Sequence, residues 1–322
     1  MNTELKFARF LCAVFSFVVI LIVLWFGFRH SQLALSLGSL FPRAFASLAL
    51  VLAPLWLFGF GAAGPLKRLS GIAKVASPAV LSVAYFAFAI GTNLFSWRAA
   101  LIVIAYPVLL AAFLETSHLP AKMTWRDAAV FGIIAATYYL RWLLSAWPPE
   151  LAFVPKLFLA DVALYCFLVV RRVQGSGYSL IPTKSAFVIG LREWAFFFPI
   201  ALALGEATGF THFHRTLPAM GHVAGSVLLT FLLIAIPEEL FFRALLQNLV
   251  ETRVGRNTAL IIGALLFGLS HFNHGSSFNW RYVLLASIAG VFYGRAWRAK
   301  RQIFASVVTH TAVDIVWSLW FK

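Results

Sequence analysis

Long apolar runs, separated by short polar or basic stretches, occupy most of the 322-residue chain. A helix crossing the hydrocarbon core of a bilayer needs roughly 20 mostly apolar residues. Runs near that length fall at 10–28, 44–62, 78–95, 99–115, 128–147, 151–170, 193–208, 222–249, 257–273, 281–297 and 303–321. In lipid every backbone polar group must be paired within the protein, and a helix achieves this within one segment. The pattern therefore predicts an all-α fold, a polytopic transmembrane helical bundle of 11 or so helices. The first run follows Lys6 and Arg9, is longer than a signal-peptide core of about 7–15 residues and precedes no small-residue cleavage site, so it reads as a retained span. The segment 183–198 mixes Lys184, Arg192 and Glu193 with aromatic residues and reads as an interfacial helix leading into the next span. Gly, Ser and Pro in 171–183 predict a linker. It separates a front block, 1–175, of six spans from a back block, 183–322, of five.

Composition supports the membrane reading: 61% of residues are hydrophobic, 11% are charged and the mean hydropathy is +0.88. A net charge of +15 would suggest nucleic acid in a soluble protein. Here the basic residues lie between apolar runs, as topology signals do. With the N-terminus in the cytoplasm, 17 of them fall inside, from Lys6 and Arg9 to Arg298, Lys300 and Arg301, and 6 outside, among them Arg98 and Lys322. That alternation predicts a cytoplasmic N-terminus and no nucleic-acid partner. The expected setting is a bacterial inner membrane, with the lipid bilayer as a partner. Cys12 and Cys166 lie in apolar runs without a CxxC pattern and read as small buried residues.

Charges inside the runs narrow the candidate chemistry, because an ionisable group at membrane depth costs about 2.5–3.5 kcal/mol on insertion scales. In the front block Arg141, Lys156 and Asp161 read as snorkelling side chains or a packing ion pair. The back block concentrates more. Glu238, Glu239 and Arg243 sit in one run, followed by Phe267 and His271, then His310 and Asp314. Glu239 and Arg243 at i and i+4 face each other on a helix, which leaves Glu238 projecting about 100° away. His310 and Asp314 share one face by the same spacing. A carboxylate and two imidazoles brought together can activate water by acid–base chemistry or bind a metal. Pro237, lacking an N–H, is expected to widen the helix beside Glu238 and admit water.

The ordered set Glu238-Glu239-x-x-x-Arg243, Phe267-x-x-x-His271 and His310-x-x-x-Asp314 resembles the CPBP family of intramembrane glutamic proteases. That family includes the type II CAAX prenyl endopeptidases and the bacteriocin-immunity Abi proteins. The resemblance covers about 183–322 and implies an intramembrane endopeptidase domain there, whereas the front block gains nothing from it. It implies that Glu238 is the general base for a water, that His271 helps hold that water, and that His310 stabilises the oxyanion. Glu239, Arg243 and Phe267 would support the site. Asp314 stands where the prenyl endopeptidases often carry Asn. An ionised Asp cannot donate to an oxyanion, so Asp314 either orients His310 or is itself protonated. No cofactor is implied. The substrate would be a membrane-associated protein or peptide, cut near its C-terminal or membrane-proximal end; a prenylated tail, a leader peptide and a sorting signal all fit.

Other readings remain open on sequence alone. A zinc protease could use Glu238 with two histidines, although HExxH is absent and His271-x-x-His274 lacks its glutamate. A rhomboid-like serine site at Gly268-x-Ser270 would leave the glutamate pair unexplained, and an exosortase-type cysteine motif is missing. A non-enzymatic scaffold, immunity or transport protein would keep the polar cluster for packing or binding.

Overall fold

The computed structural model describes residues 3–29, 31–115, 121–215, 218–272 and 278–321, the side chains of 3–6 excepted. His274, Lys322 and the side chain of Lys6, invoked above, lie outside the described residues. Each of the 11 predicted runs contains a helix, although 128–147 is helical only to Tyr139 and 78–95 only to Ala89. In chain order they are α1 (Thr3–Phe28), α2 (Phe41–Gly59), α3 (Gly71–Ala89, with a 3-10 stretch at its centre), α4 (Trp97–Leu114), α5 (Trp125–Tyr139) and α6 (Phe153–Val170). Then follow α7 (Lys184–Ala207), α8 (Met220–Val254), α9 (Arg256–Leu269), α10 (Trp280–Lys300) and α11 (Ile303–Trp320). Among the described residues no strand forms, and Phe213 and Phe321 make an isolated bridge. The fold is all-α, as the pattern predicted. Eight of the described segments are long and apolar enough to cross a membrane. The other three predicted runs are α5 and α9, of 15 and 14 residues, and α10, which carries Arg281, Arg295, Arg298 and Lys300.

The chain separates into two compact units, Met1–Val173 and Gln174–Lys322. In the first, α6 is the enclosed helix: Leu157, Phe158, Val162, Leu164 and Phe167 are fully buried. Phe167 stacks on Phe131 of α5 at 4.4 Å, and the Trp147 indole donates to Ser47 Oγ of α2 at 3.0 Å. A capping box, Thr124 with Asp127, starts α5, and Arg171 Nε binds Asp127 Oδ1 at 2.8 Å. By contrast α1 exposes Phe10, Phe15, Val19, Ile22 and Phe26, the all-round apolarity expected of a lipid-facing span. The isolated front-block charges resolve differently from one another. Arg141 lies in the turn just past α5, at φ 58°, and so at a helix end. Asp161 is buried with neither oxygen hydrogen-bonded among the described residues. Five residues along a helix turn two side chains about 140° apart, so Lys156 and Asp161 lie on different faces of α6.

In the second unit the segment read as an interfacial helix is the first half of α7. Thr183 Oγ1 caps it by accepting from Ala186 N, and the helix then runs unbroken for 24 residues. Glu193, the charge that suggested an interface, is buried instead and is held by Arg192 at 2.7 Å and by Arg295 of α10 at 3.0 Å. α10 packs against α7, α9 and α11, and glycines set the spacing. A Cβ on Gly190 of α7 would lie 2.7 Å from the Ala305 carbonyl and from Val308 Cβ of α11. One on Gly290 would lie 3.0 Å from Ala264 Cα of α9.

Candidate active site

The acids of α8 sit in a helix that departs from α geometry. Ile236–Glu239 is one α-helical turn between two π-helical stretches, Thr230–Ala235 and Leu240–Gln247. Pro237 opens that turn, so the widening expected from its missing N–H occurs on both sides of the glutamates.

Glu239 is fully buried and committed on both oxygens. Oε2 accepts from Arg243 Nε at 3.2 Å and from the Ser306 hydroxyl, while Oε1 lies 2.8 Å from His310 Nδ1. Arg243 is equally buried: its Nη1 donates to the Gly263 carbonyl of α9 at 3.4 Å, and its guanidinium lies 5.0 Å from the Phe267 ring centroid. Burying an ion pair without satisfying its remaining atoms is unfavourable, and the hydrogen bonds from Ser306 and His310 supply that satisfaction for the carboxylate.

His310, 2% exposed, lies stacked on Tyr293 of α10 at 4.5 Å and 15°, with Phe267 edge-on at 5.7 Å. Its Nε2 faces the other two acids, Asp314 Oδ2 at 3.4 Å and Glu238 Oε2 at 3.8 Å. Both glutamates thus reach one imidazole from opposite edges, although adjacent helix positions diverge by about 100°. His271, at the end of α9, places Nδ1 2.9 Å from the Phe267 carbonyl and its ring 5.1 Å from Tyr282. A carbonyl oxygen only accepts, so His271 Nδ1 carries a proton, and in the neutral ring Nε2 is the acceptor nitrogen. Likewise His310 Nδ1 donates to Glu239, a carboxylate already accepting two other bonds.

The three motif-bearing stretches therefore converge within one unit: Glu238, Glu239, Arg243, Phe267, His310 and Asp314 share direct contacts, and His271 joins through Phe267. Their accessibility differs. The Glu239 side chain is 0% exposed, Glu238 16% and Asp314 33%. Among the described residues no three His, Cys, Asp or Glu side chains have the spacing of a metal site.

Three contributors were not anticipated from sequence. Ser306 had a readable signal, since 306, 310 and 314 follow one face of α11 at four-residue intervals. Tyr293 had none, because only the packing of α10 on α11 brings it to His310. Gln247, at 0% exposure, continues the Glu239–Arg243 face by one more turn and fits against Gly263 and Gly294.

Residues 220–316 match the family model described as type II CAAX prenyl endopeptidase Rce1-like. No curated protein and no solved structure matches the chain. The family resemblance carried by the three motifs is thus shown over 220–316, the segment that holds Glu238, Glu239, Arg243, Phe267, His271, His310 and Asp314.

Proposed function

We propose that residues 183–322 form an intramembrane endopeptidase that hydrolyses a peptide bond of a membrane-associated protein with a glutamate- and histidine-activated water. The observation that carries this reading is the division of labour between two adjacent acids. Glu239 is sealed and bonded on both oxygens, whereas Glu238 is partly accessible and faces the same imidazole. A general base must meet its water, so Glu238 is the acid able to do so.

In this mechanism Glu238 takes a proton from water, and the resulting hydroxide attacks the scissile carbonyl. His271 Nε2 accepts from the same water and orients it. His310, clamped by Glu239 through Nδ1 and by Tyr293 through stacking, acts as the imidazolium, protonated on both nitrogens, and presents its Nε2–H to the developing oxyanion. Collapse of the tetrahedral intermediate releases the amine, which receives the proton held by Glu238. Asp314, 3.4 Å from His310 Nε2, orients that ring before substrate arrives. The family supports a CAAX-type bond near the C-terminal or membrane-proximal end of the substrate. No role is assigned to 1–175, and no cofactor enters the scheme.

The decisive experiment places Glu238→Gln and His271→Ala chains in the native membrane and looks for membrane proteins whose tails accumulate uncut. Loss of processing with normal folding is expected for both. If both variants fold and still process the substrate that the deletion strain leaves uncut, the glutamate mechanism is wrong. Metal analysis of the purified active chain is expected to find less than stoichiometric zinc, and inhibition by a chelator that zinc reverses would favour the metalloprotease instead.

A further inference from the structure

The adjoining ends of α9 and α10 carry a concentration of positive charge that the hydrolytic site does not use. Arg256 opens α9 and Arg298 lies in the last turn of α10. Each guanidinium is fixed by neutral oxygens: Arg298 Nη1 donates to the Arg256 carbonyl at 3.2 Å and Nη2 to Asn257 Oδ1 at 3.3 Å, while Arg256 Nη2 donates to the Arg298 carbonyl at 3.3 Å. Arg298 Nε is buried with no hydrogen-bond partner among the described residues. Arg295 and Arg301 lie within Coulombic reach of the same side chain. Two acids lie nearby: Glu251 bonds Arg301 and is also within Coulombic reach of Arg298, and Glu193 is held between Arg192 and Arg295. Two guanidinium forks are therefore held side by side with no carboxylate hydrogen-bonded to either among the described residues, and at Arg298 Glu251 alone offsets the charge of Arg256, Arg295 and Arg301, an excess that favours an added anion.

Arginine forks match phosphate oxygens in two-point contacts. The first turn of α9 adds to the field, because Gly255 before it supplies no capping side chain. Depth selects the source of the anion. α8 and α11, both long and apolar enough to cross a membrane, end at Val254 and begin at Ile303, so the pair lies beside span ends, where hydrocarbon gives way to headgroups. We propose that Arg256 and Arg298, with Asn257 beside them, bind the phosphate of an anionic phospholipid headgroup.

The test uses the full chain in detergent, titrated with phosphatidylglycerol or phosphatidylcholine, with bound lipid counted by native mass spectrometry. Phosphatidylglycerol is expected to be retained in preference to phosphatidylcholine. Its affinity should fall about fivefold for each charge removed in Arg256→Gln/Arg298→Gln. Asn257→Asp, nearly isosteric, places a carboxylate where Arg298 now meets an amide oxygen; it should weaken retention comparably in a folded chain, and it decides the matter if the double variant does not fold. A Lys67→Gln/Arg68→Gln chain, with the same charge loss in the other unit, should keep the wild-type preference. Equal retention of the two lipids, wild-type retention in the Asn257→Asp chain, or an equal loss in the Lys67/Arg68 control would each overturn the proposal. Displacement of the lipid by equimolar inorganic phosphate would reassign the pair to a soluble anion and overturn the lipid assignment.

Discussion

Glu238 and Glu239 differ by one position and by nearly everything that determines what a carboxylate can do. Removing one partner of a buried, bonded ion pair leaves an uncompensated charge, at a cost of about 3–5 kcal/mol. Glu239→Gln is therefore expected to lower the unfolding midpoint of the purified chain sharply. Glu238→Gln, at a partly exposed position, is expected to cost under about 1 kcal/mol while abolishing processing. Unfolding of both variants in one detergent, alongside the cleavage assay, checks the contrast, and equal destabilisation would refute it. Tyr293→Leu removes a ring stacked on His310 and should cost about 0.5–1.5 kcal/mol beyond the lost area. Tyr293→Phe keeps the ring, so it should restore most of that loss. The motif residues were legible because charges in apolar runs are conspicuous, and the Glu239–Arg243 pairing followed from helical spacing. Convergence of both glutamates on one imidazole was not legible, since the π-helical stretches that flank them leave no mark beyond Pro237.

Helix spacing in the second unit is set by residues that carry no chemistry. Gly190 lets α7 approach α11 closely enough for Thr309 Oγ1 to donate to its carbonyl at 3.0 Å, one residue before His310. A methyl group there would press on the α11 backbone, so Gly190→Ala should both destabilise the chain and reduce processing. Gly225, inside the α-helical start of α8, has nothing within 4 Å of a built Cβ. There the same substitution should leave processing intact and stabilise by up to about 1 kcal/mol from helix propensity. Paired melting and cleavage measurements on the two variants decide it; matching behaviour would show that the glycine contact does not position His310. Helix existence was readable throughout from run length. Two element-level expectations changed for physical reasons: buried pairing of Glu193 merged an interfacial helix into α7, and divergent helical angles put Lys156 and Asp161 on different faces of α6.

Across the whole molecule, the basic residues give a topology that fusion reporters can check: an N-terminal reporter should be active in the cytoplasm and one at the C-terminus on the opposite face. Both reporters on one side would break the alternation of 17 against 6 basic residues. Apolar runs, their lengths and the order of the three motifs were determined by the sequence itself, because hydrophobic length in a bilayer depends on composition alone and needs no partner. Which acid is sealed and which is reachable was decided by tertiary structure. Burial and hydrogen-bond satisfaction are properties of the surroundings, and Ser306, Tyr293 and the Gly263 carbonyl reach Glu239, His310 and Arg243 only once α8, α9, α10 and α11 have packed.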